Sequence, residues 1–189
     1  MDKTDVKQII TNRLTSISLL QKEKYSNAIC NHAAKAIIKF KARNVGIFLS
    51  IKNEVYIEQI ILLPQLKKIN FFIPKITRGK LKFIKVDRYT NLKINKFNIL
   101  EPISGKTILA NELDIALTPL LACDQNGNRL GKGGGYYDRT FKKLNAVNKY
   151  KKTKLLGIAF DTQKIAEISN DPWDVKLWGL ITEYGLIKY

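Results

Sequence analysis

The sequence has one histidine, two cysteines and no apolar run approaching the length of a membrane span. The lone His32 has no Cys, His or carboxylate pattern beside it, which argues against a zinc site and a Ser-His-Asp triad and leaves it an ordinary helix residue. Cys30 and Cys123 are far apart, and two thiols do not make a disulfide framework. Cys123 reads as a small, partly buried residue. The N-terminus Met1-Asp2-Lys3-Thr4-Asp5 lacks the apolar core of a signal peptide. A reducing cytoplasm and no membrane contact are therefore the expectation. Acidic residues are scarce, 16 against 33 basic ones, for a net charge of +17. That excess suggests anionic partners without choosing among nucleic acid, a membrane surface and a small phosphorylated ligand. The basic residues are 27 lysines and 6 arginines, with the lysines spread along the whole chain. A nucleic-acid face clusters them, so nucleic acid is not the expected partner and much of the charge reads as solvated surface. Repeats and domain boundaries are also absent. A chain of 189 residues with 45% hydrophobic content suits one domain, 1–189, with a sizeable core.

What is present is one unusual stretch, Asn126-Gly127-Asn128-Arg129-Leu130-Gly131-Lys132-Gly133-Gly134-Gly135-Tyr136-Tyr137-Asp138-Arg139. It holds five of the eleven glycines, between positions 127 and 135. Glycine lets backbone N–H groups approach a ligand with no Cβ in the way, and successive amides form a concave anion site. A helix starting near Tyr136 adds its N-terminal dipole. Arg129 and Lys132 supply positive charge, and Asp138 a carboxylate for a cation. The stretch is not a P-loop, because the glycine spacing is one residue short and Gly133 follows Lys132 where Ser or Thr is needed. Nor is it a dinucleotide fingerprint, because Tyr136 stands at the third glycine. The residues thus predict a phosphate loop beside a metal ligand.

Elsewhere the pattern alternates strands and helices. Lys3 to Leu14 reads as a short helix with Lys3 and Lys7 on one face. Ser18-Leu19-Leu20-Gln21 is a capping box opening a second helix to about Lys41. Asn44 to Ile51 reads as a buried strand, Val55 to Leu66 as a helix disturbed by Pro64, and Asn70 to Lys75 as a strand. Leu81 to Val86 alternates apolar and basic, a half-exposed strand. Asp87 to Thr107, including Phe97, reads as irregular. Leu113 to Ala122 is a strand running into the glycine loop, with pairing expected to stop at Pro119. Tyr136 to Leu144 reads as a helix, Lys149 to Lys154 as a basic connector, and Lys154 to Phe160 as a strand. Asp171-Pro172-Trp173-Asp174 is a short acidic turn. The fold class is α/β: a single domain, a mainly parallel sheet and helices on both faces.

Arg129 to Arg139 resembles the signature of the 5-formyltetrahydrofolate cyclo-ligase family, also called methenyltetrahydrofolate synthetase. The resemblance runs from about Lys3 to Glu183. It includes Phe48 to Glu54, Pro74 at a strand end, Glu101-Pro102 and the closing Ile181-Thr182-Glu183. It implies that Lys3 and Lys7 contact ATP phosphates; the family's second basic residue is usually Arg, and Lys7 lacks that bidentate fork. It implies that Glu54 and Leu49 hold the folate, and that Asp174 joins Asp138 around Mg²⁺. Many relatives have His where this chain has Trp173.

By this resemblance Arg129 and Lys132 are the catalytic cations. Leu130, Gly131, Gly133, Gly134, Gly135, Tyr136 and Tyr137 complete the ATP site, and Lys132 to Tyr136 also touch the folate. Either tyrosine could stack on the pterin or bond a phosphate. The implied reaction is ATP-dependent cyclisation of 5-formyltetrahydrofolate to 5,10-methenyltetrahydrofolate, releasing ADP and phosphate through a phosphorylated formyl intermediate. It asks for positioning and charge neutralisation, not an acid–base dyad. The partners are then small molecules, and the expected assembly is a monomer or weak homodimer. A nucleic-acid-binding protein and a different ATP-dependent ligase or kinase remain the alternatives.

Overall fold

Two helices lead the chain in a computed structural model that describes residues 3–95, 99–147 and 153–189. Helix α1 (Lys3–Thr15) buries Val6, Ile10 and Leu14, one residue per turn. Ser18 then caps α2 (Leu19–Lys39): its side chain accepts from the Gln21 N–H, and the Gln21 side chain accepts from the Ser18 N–H. The buried stripe of α2 is Ile29, Ala33, Ala36 and Ile37, with Cys30 beside it.

Strand β1 (Asn44–Gly46) is shorter than the apolar run suggested. Ile47 still donates to the Phe72 carbonyl at 2.8 Å. Beyond it Phe48, Leu49 and Ile51 line a cavity instead of pairing. The expected helix after Val55 is two 3₁₀ segments, Ile57–Leu62 and Pro64–Leu66. Ile57 and Ile60 are both fully buried at the three-residue spacing of that helix, and Pro64 has no N–H to continue an α-helix.

A hairpin follows, β2 (Asn70–Thr77) and β3 (Lys80–Val86), with Lys80, Lys82 and Lys85 exposed; Phe83 and Ile84 are both buried, so Lys82 and Lys85 stand on opposite faces of the strand. The stretch read as irregular holds a second small hairpin, β4 (Leu92–Ile94) with β5 (Leu100–Pro102), and the short β6 (Thr107–Ile108). Phe97 lies outside the described residues. Strand β7 (Ile115–Pro119) pairs as far as Pro119, opposite Ile158. The chain then forms β8 (Ala122–Cys123) and β9 (Arg129–Leu130), an antiparallel pair that delivers the glycine loop to α3 (Tyr136–Val147). Of the basic connector, Thr153, which is buried, and Lys154, at the start of β10 (Lys154–Ile158), are described. Strands β11 (Gly179–Thr182) and β12 (Gly185–Lys188) close the chain.

The main sheet has eight strands in the order β12-β11-β10-β7-β1-β2-β3-β6. The five from β11 to β2 are parallel, and the edge pairings are antiparallel. One core lies under α1, α2 and the first 3₁₀ segment; a second, around Phe83, Leu113, Phe141 and Leu155, lies under α3 on the opposite face. From β1 the chain winds one way to β2, and from β7 the other way to β10 and β11. The carboxyl ends of β1 and β7 are therefore a topological switch point, where open α/β sheets bind ligands.

Candidate active site

Two cavities meet at this switch point. The first, of about 350 Å³, is walled by Phe48 and Leu49 after β1, Ile73 and Pro74 of β2, Pro119 at the end of β7, and the glycine loop. Its lining is mostly apolar, interrupted by Glu54, Arg129, Lys132 and Asp138. The second, of about 270 Å³, lies between α1 and the Lys52–Glu54 turn and carries Lys7, Lys52 and Lys132. Glu54 and Lys132 belong to both.

These two residues form an ion pair, Lys132 Nζ to Glu54 Oε1, 2.8 Å. The Lys132 side chain is 43% exposed and that of Glu54 only 9%. The other Glu54 oxygen accepts the Ile51 N–H at 2.9 Å. Asn53 makes this turn possible by adopting φ +67, a conformation that asparagine tolerates better than most residues.

The glycine loop takes backbone conformations that favour glycine. Gly133 and Gly135 have φ of +105 and +59, and a Cβ on Gly135 would meet Arg139 Nη1 at 2.7 Å. Arg139 ties the loop down, donating to the Gly134 carbonyl (2.6 Å) and the Gly79 carbonyl (2.9 Å). Helix α3 starts directly after Gly135, so its first amides open beside the loop. Arg129 crosses beneath: its Nη2 is 2.6 Å from Asp138 Oδ1, while its buried Nε has no hydrogen-bond partner among the described residues.

The two tyrosines differ. Tyr136 lines the first cavity under the Arg139 guanidinium, 5.0 Å from the ring centre. Tyr137 also reaches that cavity but stacks on Phe141, with rings 6.2 Å apart and 12° from parallel, and Arg129 lies 5.7 Å away. Burial raises the Tyr137 hydroxyl above the ordinary tyrosine pKa; the charge of Glu54 adds to the rise and that of Arg129 opposes it.

Asp138 and Asp174 are joined through the backbone. The Val175 N–H donates to Asp138 Oδ1 (3.1 Å), and the Asp171 N–H to Asp174 Oδ2 (3.0 Å). Lys3 already places a cation here, with Nζ 2.6 Å from Asp171 Oδ2 and 3.8 Å from Asp174 Oδ2. Its pKa is raised above the ordinary lysine value, first by the Asp171 hydrogen bond, against a smaller opposing effect of burial, with the charges of Asp174, Asp171 and Asp138 adding. Among the described residues no three His, Cys, Asp or Glu side chains gather into a metal site. Two carboxylates are nevertheless what Mg²⁺ commonly uses when phosphates and water complete its shell. The chemistry of Asp138 and Asp174 is thus compatible with a magnesium ion.

The predicted residues are not all drawn together. Lys7 lines the second cavity, whereas Lys3 turns to the acidic turn. Leu130 packs in the core, and neither it nor Gly133 lines either of these two cavities. Trp173 is 56% exposed. His32 sits on α2, away from both cavities. Sequence reasoning missed Lys52, whose only signal was its place beside Glu54. It also missed Asp124, fully hydrogen-bonded in the turn before Arg129, although Asp124-Gln125-Asn126-Gly127 carries clear turn chemistry.

Comparison with known proteins gives this geometry its context. Residues 1–183 match the model of the 5-formyltetrahydrofolate cyclo-ligase family. The chain belongs to that family. It is 32% identical over 184 residues to the 5-formyltetrahydrofolate cyclo-ligase of Haemophilus influenzae, covering 95% of this chain and 94% of that one. It is 31% identical over 146 residues to the enzyme of the same name from Escherichia coli K12, covering 75% and 78%. The fold is similar to the NMR structure of Aquifex aeolicus 5,10-methenyltetrahydrofolate synthetase, with a TM-score of 0.82, 25% identity and coverage of 100% and 93%. It is also similar to the Mycoplasma pneumoniae 5,10-methenyltetrahydrofolate synthetase, with a TM-score of 0.73, 26% identity and coverage of 97% and 99%. As a member of the cyclo-ligase family the chain is an enzyme, a ligase of folate metabolism. No helix among the described residues is long and apolar enough to cross a membrane.

Proposed function

We propose that this cyclo-ligase closes 5-formyltetrahydrofolate to 5,10-methenyltetrahydrofolate at the expense of ATP, in the presence of Mg²⁺. The observation that carries the reading is the Glu54–Lys132 pair, which stands between an apolar cavity and a lysine-lined one. The apolar cavity suits a fused heterocycle, with Glu54 accepting from its N–H groups. The second suits a phosphate chain, with Lys7 and Lys132 as counter-charges. In the reaction the formyl oxygen attacks the γ-phosphorus and ADP leaves. The N10 lone pair then attacks the phosphorylated formyl carbon, N10 gives up its proton to water, and phosphate departs.

The chain's part is to hold these groups in line and neutralise charge. Arg129 and Lys132 would neutralise the charge of the transferring phosphoryl group. The amides from Gly131 to Gly135 and the start of α3 add N–H donors. Asp138 and Asp174 would hold the metal, whose chemistry when bound is to offset phosphate charge. Tyr136 is the tyrosine better placed to stack on the pterin, since Tyr137 is already stacked on Phe141.

The test is to mix the protein with 5-formyltetrahydrofolate and Mg²⁺, with and without ATP, and follow the near-ultraviolet absorbance of the methenyl product. The expected result is ATP-dependent growth of that band and its loss in Lys132→Ala. Folded, ATP-binding protein that gives no band would overturn the reading and leave a ligase with another substrate.

A further inference from the structure

The Glu54–Lys132 pair is the common wall of the two cavities. Each partner is the one charged group that a ligand in its own cavity most needs. A heterocycle in the apolar cavity needs the Glu54 carboxylate, which is nearly buried and has Lys132 on one oxygen and the Ile51 N–H on the other. An anion in the second cavity needs Lys132, the lysine it shares with Lys7 and Lys52. We propose that this ion pair couples the two sites. Whichever substrate binds first must draw one partner away, and the second substrate then finds its own partner released. The inference rests on the function proposed above but goes beyond it, because two substrates can occupy neighbouring cavities with no coupling at all.

The physical ground is the asymmetry of burial. A carboxylate that is 9% exposed is costly to leave unpaired, whereas a lysine that is 43% exposed finds water when released. Phosphate alone therefore binds against the cost of uncovering Glu54. With N–H donors already on Glu54, that cost disappears and Lys132 is free to turn to the phosphate. The same free energy must appear in both directions, since coupling between two binding sites is reciprocal. Lys52 adds charge to the second cavity but makes no ion pair with Glu54, so it serves affinity and not coupling.

The experiment is isothermal titration of 5-formyltetrahydrofolate into the protein alone and into protein saturated with a non-hydrolysable ATP analogue and Mg²⁺, followed by the reverse pair of titrations. The expected result is a folate Kd that tightens by roughly 5-fold to 100-fold with the analogue present, and the same factor on the analogue Kd with folate present. Glu54→Gln should bring the factor to within about 2-fold of unity, even where its folate affinity is weaker. Lys52→Ala should weaken the analogue and leave the factor unchanged. Tight binding of both ligands with a wild-type factor near unity would overturn the coupling alone. So would a factor that survives Glu54→Gln. Absence of folate binding in every titration, by folded protein that binds the analogue, would overturn the proposed substrate and the coupling with it.

Discussion

Arg129 reaches under the glycine loop to Asp138, Nη2 to Oδ1 at 2.6 Å, and the same carboxylate oxygen takes the Val175 N–H at 3.1 Å. One oxygen thus ties β9, the start of α3 and the segment after the acidic turn. The Arg129 side chain is 5% exposed and that of Asp138 19%, so the pair is mostly out of solvent. Arg129→Ala should cost stability between the ~0.5 kcal/mol of an exposed pair and the ~4 kcal/mol of a fully buried pair broken on one side. Turnover should fall roughly 10²-fold or more, on the scale of a lost electrostatic donor. Arg129→Lys should recover little of either, because an ammonium cannot reproduce the planar fork. Thermal melts and initial rates check both. An unchanged melting temperature with near-native turnover would remove the pair from structure and chemistry alike.

Asp138 and Asp174 should answer to magnesium. Asp138→Asn and Asp174→Asn, made separately, keep the shape and remove the charge. Each is expected to raise the Mg²⁺ concentration for half-maximal rate by roughly 10-fold or more. For Asp174 there is a second readout, since Lys3 loses a charge 3.8 Å away but keeps Asp171 at 2.6 Å. The anchoring of α1 should therefore survive, and the melting temperature should move little. A Mg²⁺ titration that overlays the native curve in both variants would count these carboxylates out.

The thiols give a prediction about pH. Burial pushes Cys30 and Cys123 up from 9.0 to about 11. Near neutral pH neither is a thiolate in the folded protein, so a disulfide-exchange reagent should react slowly until denaturant is added. The sign for stability follows. The unfolded chain releases these protons from about pH 9, whereas the folded chain holds them until about 11. Their contribution is complete below pH 9 and is lost as pH rises from 9 to 11. Urea midpoints over that range should fall, and fall less steeply in Cys30→Ala than in the native chain after correction to a common midpoint at pH 8. Parallel curves would show that the buried thiols do not govern this window.

Most of the architecture was legible because it is local. Ser18 and Gln21 signal a helix start wherever they stand, and the apolar and basic residues of Leu81 to Val86 sort into buried and exposed positions along β3. The glycine loop was legible for the same reason, since its positive φ angles leave few residues to choose from. What failed depended on contacts between distant segments. Val45 to Leu49 is an unbroken run without a polar residue, and nothing local says that pairing ends at Gly46 and a cavity wall begins at Phe48. Val55 to Leu66 has helical composition, yet burial of Ile57 and Ile60 under α2 draws it into 3₁₀ turns. Lys3 and Lys7 share a helix face, but Asp171 lies 168 residues away and takes only the first of them. The pairing of Lys132 with Glu54 was equally out of reach, because each residue was readable alone and their meeting was not.

Asp124 is the residue on which the loop's approach depends. It is 2% exposed. Its Oδ1 accepts the N–H groups of Asn126 and Asn128, both at 2.9 Å, and its Oδ2 accepts Asn128 Nδ2 at 2.8 Å and the Ile168 N–H at 3.0 Å. Four donors thus converge on one carboxylate, closing the turn that returns the chain to Arg129. Asp124→Ala strands them in a region with little water. Each orphaned buried donor costs ~1–3 kcal/mol, and partial relaxation keeps the total below their sum, so a loss on the order of 3–5 kcal/mol is expected. For a chain of this size that lowers the melting temperature by roughly 10 °C. Asp124→Asn should lose less, because its amide oxygen still accepts, though its NH₂ now faces donors. Activity should fall in Asp124→Ala even well below its melting point, because the turn that positions Arg129 is no longer held. A melting temperature within about 2 °C of native would mean that the four hydrogen bonds are replaced by water at little cost, and the carboxylate would then have no organising role.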